Sequence, residues 1–139
     1  MVKSTFDSQE NVGIIAPKGH VLDFFHYRGG PENKELLDSY TGKLGIPFNE
    51  DSDFNFIAGS MFWARPAALQ LLNLVPIDDS DFEPEPIKKD GTTVHALERF
   101  IGLSVSFSGS TVLEVDENGR FFDISPFGST SYPFADKTR

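Results

Sequence analysis

FIAGSMFWARPAALQLL (Phe56–Leu72) and KKDGTTVHALERF (Lys88–Phe100), with the acidic loop between them, decide how this chain folds. The aromatic run from Phe54 to Ala64 predicts a strand, and Gly59-Ser60 inside it predicts a bulge or sharp bend. Pro66 suits the first turn of a helix running to about Leu74. Leu69, Leu71, Leu72 and Leu74 make that helix apolar on most sides and so predict its burial. From Pro76 to Asp90 prolines and acids predict a long loop, the kind of segment that often carries function. A second helix is predicted from Thr92 to Ile101, stopped by Gly102. Leu103, Val105 and Phe107 then alternate with Ser104, Ser106 and Ser108, the period of a half-buried strand.

Outward from this centre, Val12 to Ala16 reads as a buried strand closed by Pro17. His20 to Tyr27 is aromatic but lacks clear alternation. Arg28 to Asn33 is a turn, and a helix follows from Glu32 to Leu44. Leu36, Leu37, Tyr40 and Leu44 lie on one face of it, and Gly45 supplies the stop. Asn49 to Asp53 is an acidic loop. Toward the C-terminus, VLEVDENGRFFDI (Val112–Ile124) predicts a β-hairpin turning at Asn118-Gly119. The tail from Ser125 is expected to form an irregular strap or to stay mobile. This order of elements predicts one domain over residues 1–139, of α/β (α+β) class, with a mixed sheet and flanking helices.

Composition excludes several functions. A net charge of −9 and a pI near 4.6 oppose nucleic acid, whose binding relies on Lys and Arg displacing counterions. They equally oppose docking on an anionic membrane. The chain has no cysteine, which removes disulfides, thiolate metal sites and thiol nucleophiles, and fits a cytoplasmic location. No apolar run approaches the ~20 residues of a membrane-spanning helix, and the N-terminus lacks a signal-peptide core. Direct membrane insertion is therefore not expected.

The second helix carries the candidate chemistry. At about 100° per residue, Val94, Leu97, Phe100 and Ile101 share one side, with Ala96 beside them. Thr92, His95 and Arg99 fall opposite, Glu98 lies at the boundary, and Asp90 just precedes the helix. Spacing alone reads this as a solvated face with an N-cap. Trp63 reads as core or as a platform for a sugar ring. Arg65 is costly to bury and so has a functional claim. Gly59 and Ser60 would let a ligand approach the backbone. Asp51-Ser52-Asp53 and Asp79-Ser80-Asp81 match Asp-x-Asp, but in acid-rich loops such matches read as solvated charge. The Asp78–Glu85 loop lacks EF-hand spacing. His20, Asp23 and His26 lack a convincing third ligand. No metal site is assigned, and any cofactor stays unknown; a divalent cation has no convincing ligand set.

Taken together, Ile57-Ala58-Gly59-Ser60-Met61-Phe62-Trp63-Ala64-Arg65 and Asp90-Gly91-Thr92-Thr93-Val94-His95-Ala96-Leu97-Glu98-Arg99 resemble the rhamnan synthesis F family of bacterial polysaccharide glycosyltransferases. The resemblance runs from Val12 to about Leu103. It implies the C-terminal, acceptor-side half of a GT-A-type glycosyltransferase, without the donor-binding half. The implied reaction is transfer of a deoxyhexose such as rhamnose from a nucleotide sugar to a growing glycan. By this likeness Asp90 is the base candidate, His95 and Arg99 would contact acceptor or phosphate, and Glu98 would pair with Arg99 or with Arg65. Gly59, Ser60, Trp63, Arg65 and Thr92 would contact substrate, and Lys18 and Arg28 would lie near a diphosphate. A homodimer, or a subunit supplying the donor half, is the expected partner. The alternative is a non-catalytic carbohydrate-binding or assembly module that keeps the acceptor half of the fold.

Overall fold

The computed structural model describes residues 1–49, 52 and 54–124. Strand β1 (Val12–Pro17), the VGIIAP run, lies at the centre of a four-stranded sheet. It pairs in parallel with β5 (Thr111–Val115) and antiparallel with the two-residue β4 (Trp63–Ala64). Outside β5 lies β6 (Phe121–Asp123), antiparallel, giving the order β4-β1-β5-β6. A second sheet consists of β2 (Val21–Asp23) against β3 (Asn55–Ile57). The protein is thus a mixed α+β fold, as the element order predicted. Among the described residues no helix is long and apolar enough to cross a membrane.

The Phe54–Ala64 run explains why there are two sheets. Gly59 (φ +86) and Ser60 (φ +54) adopt the left-handed conformation one after the other. The strand breaks there, so β3 joins β2 and β4 joins β1. The predicted interruption is present and does more than bulge a strand: it passes the chain between sheets.

Helix α1 (Val2–Ser8) packs by Val2 and Phe6 against Val12, Ile15 and Leu113. The short α2 (Phe24–Tyr27) is capped by Asp23, whose carboxylate accepts the His26 N–H at 3.0 Å. Helix α3 (Pro31–Leu44) ends at left-handed Gly45 (φ +67) as expected, and starts one residue before the expected Glu32, with Pro31 in its first turn. Its buried face is Asn33, Leu37, Tyr40 and Thr41. Leu37 and Tyr40 meet Phe24, Phe54, Phe56 and Phe100 in the largest core cluster, where Phe24 stacks on Phe54 with centroids 4.6 Å apart.

Three sequence expectations are corrected. The Pro66–Leu74 segment is a 3-10 helix that buries Ala68 fully and leaves Leu74 62% exposed, so it is a half-covered strap rather than a buried helix. Helix α4 (Thr93–Phe107) does not stop at Gly102 but continues through the stretch read as a strand. Glycine is needed there for packing: a Cβ on Gly102 would sit 2.2 Å from the Asn55 carbonyl oxygen and 2.8 Å from Phe56 Cα. Of the alternating serines, buried Ser104 serves the same close packing, donating its hydroxyl to the Ala68 carbonyl at 3.0 Å, while Ser106 and Ser108 are exposed. Finally, the buried arc of α4 is rotated from the predicted one. Ala96, Phe100 and Leu103 are core, Val94 is 39% exposed and Arg99 only 9% exposed. β3, α3 and the 3-10 strap cover α4 from several directions, so one stripe does not describe its buried side.

The predicted hairpin is present. Val115 pairs with Phe121 across a loop from Asp116 to Arg120, with Gly119 at φ +77. The tail from Ser125, and Asp51 and Asp53 of the first Asp-x-Asp match, lie outside the described residues.

Candidate functional site

The loop before α4 and the junction of α2 with α3 meet at Asp90. Its Oδ2 accepts the Gly30 N–H at 2.8 Å, and its Oδ1 accepts the Asn33 side-chain amide at 2.6 Å. Asn33 also donates to the Arg28 carbonyl at 3.2 Å. Gly29 turns at φ +78, and a Cβ there would collide with both Asn33 and Asp90. The carboxylate therefore sits at the N-terminal end of α3, where exposed N–H groups favour negative charge. Burial alone would raise the Asp90 carboxyl. Hydrogen bonds from Asn33 and the Gly30 and Gly91 N–H groups, with the Arg99 charge, bring it below the ordinary carboxylate value instead.

Nearly two turns into α4, Arg99 is buried with all three guanidinium nitrogens engaged. Nε and Nη2 donate to the Tyr27 carbonyl at 3.3 and 2.9 Å. Nη1 donates to the His95 carbonyl at 3.1 Å and to Glu98 Oε2 at 3.0 Å. The cation also lies over the Phe56 ring, 4.7 Å from its centroid. Burial lowers the Arg99 pKa, and the Glu98 and Asp90 charges act against that, so the group stays cationic at neutral pH. Glu98 spends its other oxygen on the Gly59 N–H at 2.5 Å. A polar chain thus runs from the α2–α3 junction through Arg99 and Glu98 to the Gly59-Ser60 bend.

His95 stands beside this chain. Its Nδ1 and the buried Thr92 hydroxyl are 2.7 Å apart. Of the predicted residues, Glu98, Arg99 and Gly59 join one hydrogen-bonded chain, Asp90 acts on Arg99 through its charge, and Thr92 and His95 adjoin. Ser60 is exposed next to Gly59. The other two lie elsewhere. Arg65 binds backbone, donating to the Val12, Phe6 and Gln9 carbonyls at 3.1, 2.7 and 3.2 Å, and so ties α1 to β1. Trp63 is 51% exposed, in a groove with Pro17, Lys18 and the β5–β6 loop.

Other motifs have local duties. Asp79-Ser80-Asp81 is a 3-10 turn capped by Asp78, with the Asp81 carboxylate accepting the Asp78 N–H at 2.9 Å. His26 Nδ1 pairs with Asp23 at 2.7 Å. Among the described residues no three His, Asp or Glu side chains gather as a metal site would need.

The rhamnan synthesis protein F model matches residues 2–107, about three quarters of the chain. The chain belongs to the rhamnan synthesis protein F family. Two similar proteins, each called uncharacterized protein WxcX and from two strains of Xanthomonas campestris pv. campestris, are 39% and 38% identical to it over 116 residues. Each alignment covers 84% of this chain and 16% of the relative, so the chain spans about a sixth of the length of the curated relatives it matches. No solved structure matches. Membership ties the chain to rhamnan and polysaccharide synthesis.

Within this rhamnan synthesis F chain, sequence reasoning missed the partners that hold the cluster. Asn33 precedes Leu37 by four residues and Tyr40 by seven, so its place on the buried face of α3 was legible. Glu83 gave no such signal. It reaches from the acidic loop to cap α4, accepting the Thr93 N–H at 2.9 and 3.1 Å and the Thr93 hydroxyl at 3.0 Å. The Thr93 N–H is the main reason the Glu83 carboxyl lies below its ordinary value.

A pH dependence follows from Asp90. A carboxyl lowered on folding stabilises the protein fully above its unfolded value of about 3.9, and loses that contribution as pH falls through the lower folded value. Asp90→Asn is expected to flatten the acid limb of stability below pH ~4. Urea midpoints of both proteins across that range check it, and parallel acid limbs would refute it.

Proposed function

We propose that this chain forms the acceptor-handling part of a glycosyltransferase in polysaccharide synthesis, one that moves a deoxyhexose such as rhamnose from a nucleotide sugar to a growing glycan. The contact that carries this reading is Thr92 Oγ1 to His95 Nδ1 at 2.7 Å, at the start of the helix bearing Glu98 and Arg99. When Nδ1–H donates to Thr92, His95 Nε2 is left with its lone pair, the form a general base needs.

The acceptor hydroxyl attacks the anomeric carbon and its proton passes to His95 Nε2. The bond from that carbon to the diphosphate breaks, and the nucleoside diphosphate leaves with the electron pair. Asp90 suits the base role less well. Its oxygens already accept N–H groups, and a carboxyl held below its ordinary value binds a proton weakly. In this reading Asp90, Glu98 and Arg99 are positioning residues that fix the helix start against the Gly59-Ser60 bend. The nucleotide sugar is bound by a donor half on another segment or subunit, in a GT-A-like arrangement. A cytoplasmic setting accords with the cysteine-free sequence.

The test is His95→Gln in the polypeptide that natively carries this domain, assayed for transfer from dTDP-rhamnose to a glycan acceptor. A loss of about 10²–10⁴ in kcat with little change in acceptor KM is expected. Activity within about threefold of the parent would refute the base assignment. The commitment of both nearby carboxylates to backbone N–H groups favours a second reading, a non-catalytic glycan-binding or assembly module, which predicts no transfer from any nucleotide sugar.

A further inference from the structure

We infer that the groove beside Trp63 is a binding subsite for a neutral pyranose unit of a glycan, separate from the α4 cluster. It lies where β1 ends at Pro17 and β5 ends at Val115, two parallel neighbours. Ligands in open sheets with parallel strands favour the carboxyl ends of those strands. Its volume of about 570 Å³ falls within the range of small-ligand sites. No lining residue belongs to α4.

The walls are built before any ligand arrives. Trp63 is fixed by pairing with Ile15, and the Arg65 N–H that follows donates to the Gly13 carbonyl at 2.8 Å. On the opposite wall, Asp116 Oδ1 accepts the Asn118 and Arg120 N–H groups, both at 2.9 Å, and its Oδ2 accepts from the Arg120 guanidinium at 2.9 Å. Pro17 and Lys18, at the end of β1, also line the groove, and the turn that follows is held in place. Buried Glu114 accepts the Gly19 and Val21 N–H groups at 3.1 and 3.3 Å, and the Lys18 N–H donates to the Val115 carbonyl at 2.9 Å. The Lys18 ammonium rests over the Phe122 ring, 4.2 Å from its centroid. Such pre-formed walls reduce the entropy lost on binding.

The lining chemistry selects the ligand. A half-exposed indole offers a broad apolar face with a polar edge, which matches the C–H face of a pyranose. Asn118 supplies amide donors and an acceptor for hydroxyl groups. Lys18 and Arg120 balance Asp116 and Glu117 in formal charge, so the groove has no net sign with which to hold a diphosphate or polyanion. This assignment rests on the proposed glycan role only in preferring a saccharide to another neutral ligand.

The chain has one tryptophan, so its fluorescence reports directly on the groove. The probes are methyl α-L-rhamnopyranoside, methyl α-D-glucopyranoside and maltotriose, with saturation-transfer NMR as the second readout. A saturable emission change is expected from at least one. Trp63→Ala should weaken binding by about tenfold or more by NMR, Trp63→Phe should recover part of it, and His95→Gln should leave it unchanged. Because Trp63 is half exposed, the alanine variant is expected to keep the parent's circular dichroism. No saturable change with any probe up to about 50 mM, or binding undiminished in Trp63→Ala, would overturn the inference. Saccharide binding without glycosyl transfer removes the transfer reading and keeps the groove; transfer without Trp63-dependent binding does the reverse.

Discussion

Arg99→Ala is expected to cost about 3 kcal/mol of folding stability, because it removes a buried cation with its backbone contacts and leaves the partly buried Glu98 carboxylate uncompensated. Glu98 keeps its Gly59 contact but loses its cation, and the Tyr27 carbonyl loses two donors. Small domains hold about 5–15 kcal/mol in total, so the variant should be near the limit of folding. Arg99→Lys should recover little, since an ammonium lacks the planar fork that reaches Tyr27, His95 and Glu98 at once. Urea denaturation checks the size of the loss. The double variant Arg99→Met/Glu98→Gln separates mechanism from bulk: it should be more stable than Arg99→Met alone, because the stranded carboxylate is gone. If the double variant is the less stable of the two, Arg99 acts through packing over Phe56 rather than through charge.

The second large effect turns on two helical glycines with opposite surroundings. Replacing a glycine inside a helix by alanine normally stabilises by about 1 kcal/mol. Gly42 in α3 meets nothing within 4 Å, so Gly42→Ala should show that gain. Gly102 in α4 is different: the new Cβ meets the Asn55 backbone oxygen at 2.2 Å and Phe56 Cβ at 2.7 Å. Backbone cannot swing aside as a side-chain tip can. Overpacking of about 1–3 kcal/mol or more outweighs the propensity gain, so Gly102→Ala should destabilise. Melting curves of the two variants, measured together, decide the matter. Stabilisation of both would mean that α4 and β3 separate more readily than their packing indicates.

The fold was legible where one physical signal acted alone. The apolar face of Leu36, Leu37, Tyr40 and Leu44 and the glycine stop placed α3, and Asn118-Gly119 gave the hairpin. It was illegible where tertiary packing overrode a local rule. Gly102 looked like a stop because glycine is a poor helix former, yet it is there so that α4 can press on β3. The serines after it looked like the polar face of a strand because period two was the strongest local pattern. Arg99 looked solvated because guanidinium groups seldom lie in a core, and nothing local announced the Tyr27 carbonyl waiting for it. The candidate site follows the same division. The two motifs named the residues around Asp90, Glu98 and Arg99 and the family, but Glu83, Asn33 and the groove wall at Asn118 and Arg120 come from distant segments joined only by the fold.

The left-handed pair Gly59-Ser60 has a consequence for how this fold tolerates changes in length. Adding one residue within a strand turns every later side chain to the opposite face. Here the register of β3 is fixed by β2, and that of β4 by β1 and the Arg65 anchor, each without reference to the other. An insertion at the bend would be taken up in the bend itself. Trp63 would still face the groove and Phe56 the core, and the contacts at risk would be those of the bend itself, the Gly59 N–H to Glu98 and the Ser60 N–H to the Ile57 carbonyl. The bend acts as an expansion joint between two independently registered sheets, so related chains can vary there without rebuilding either.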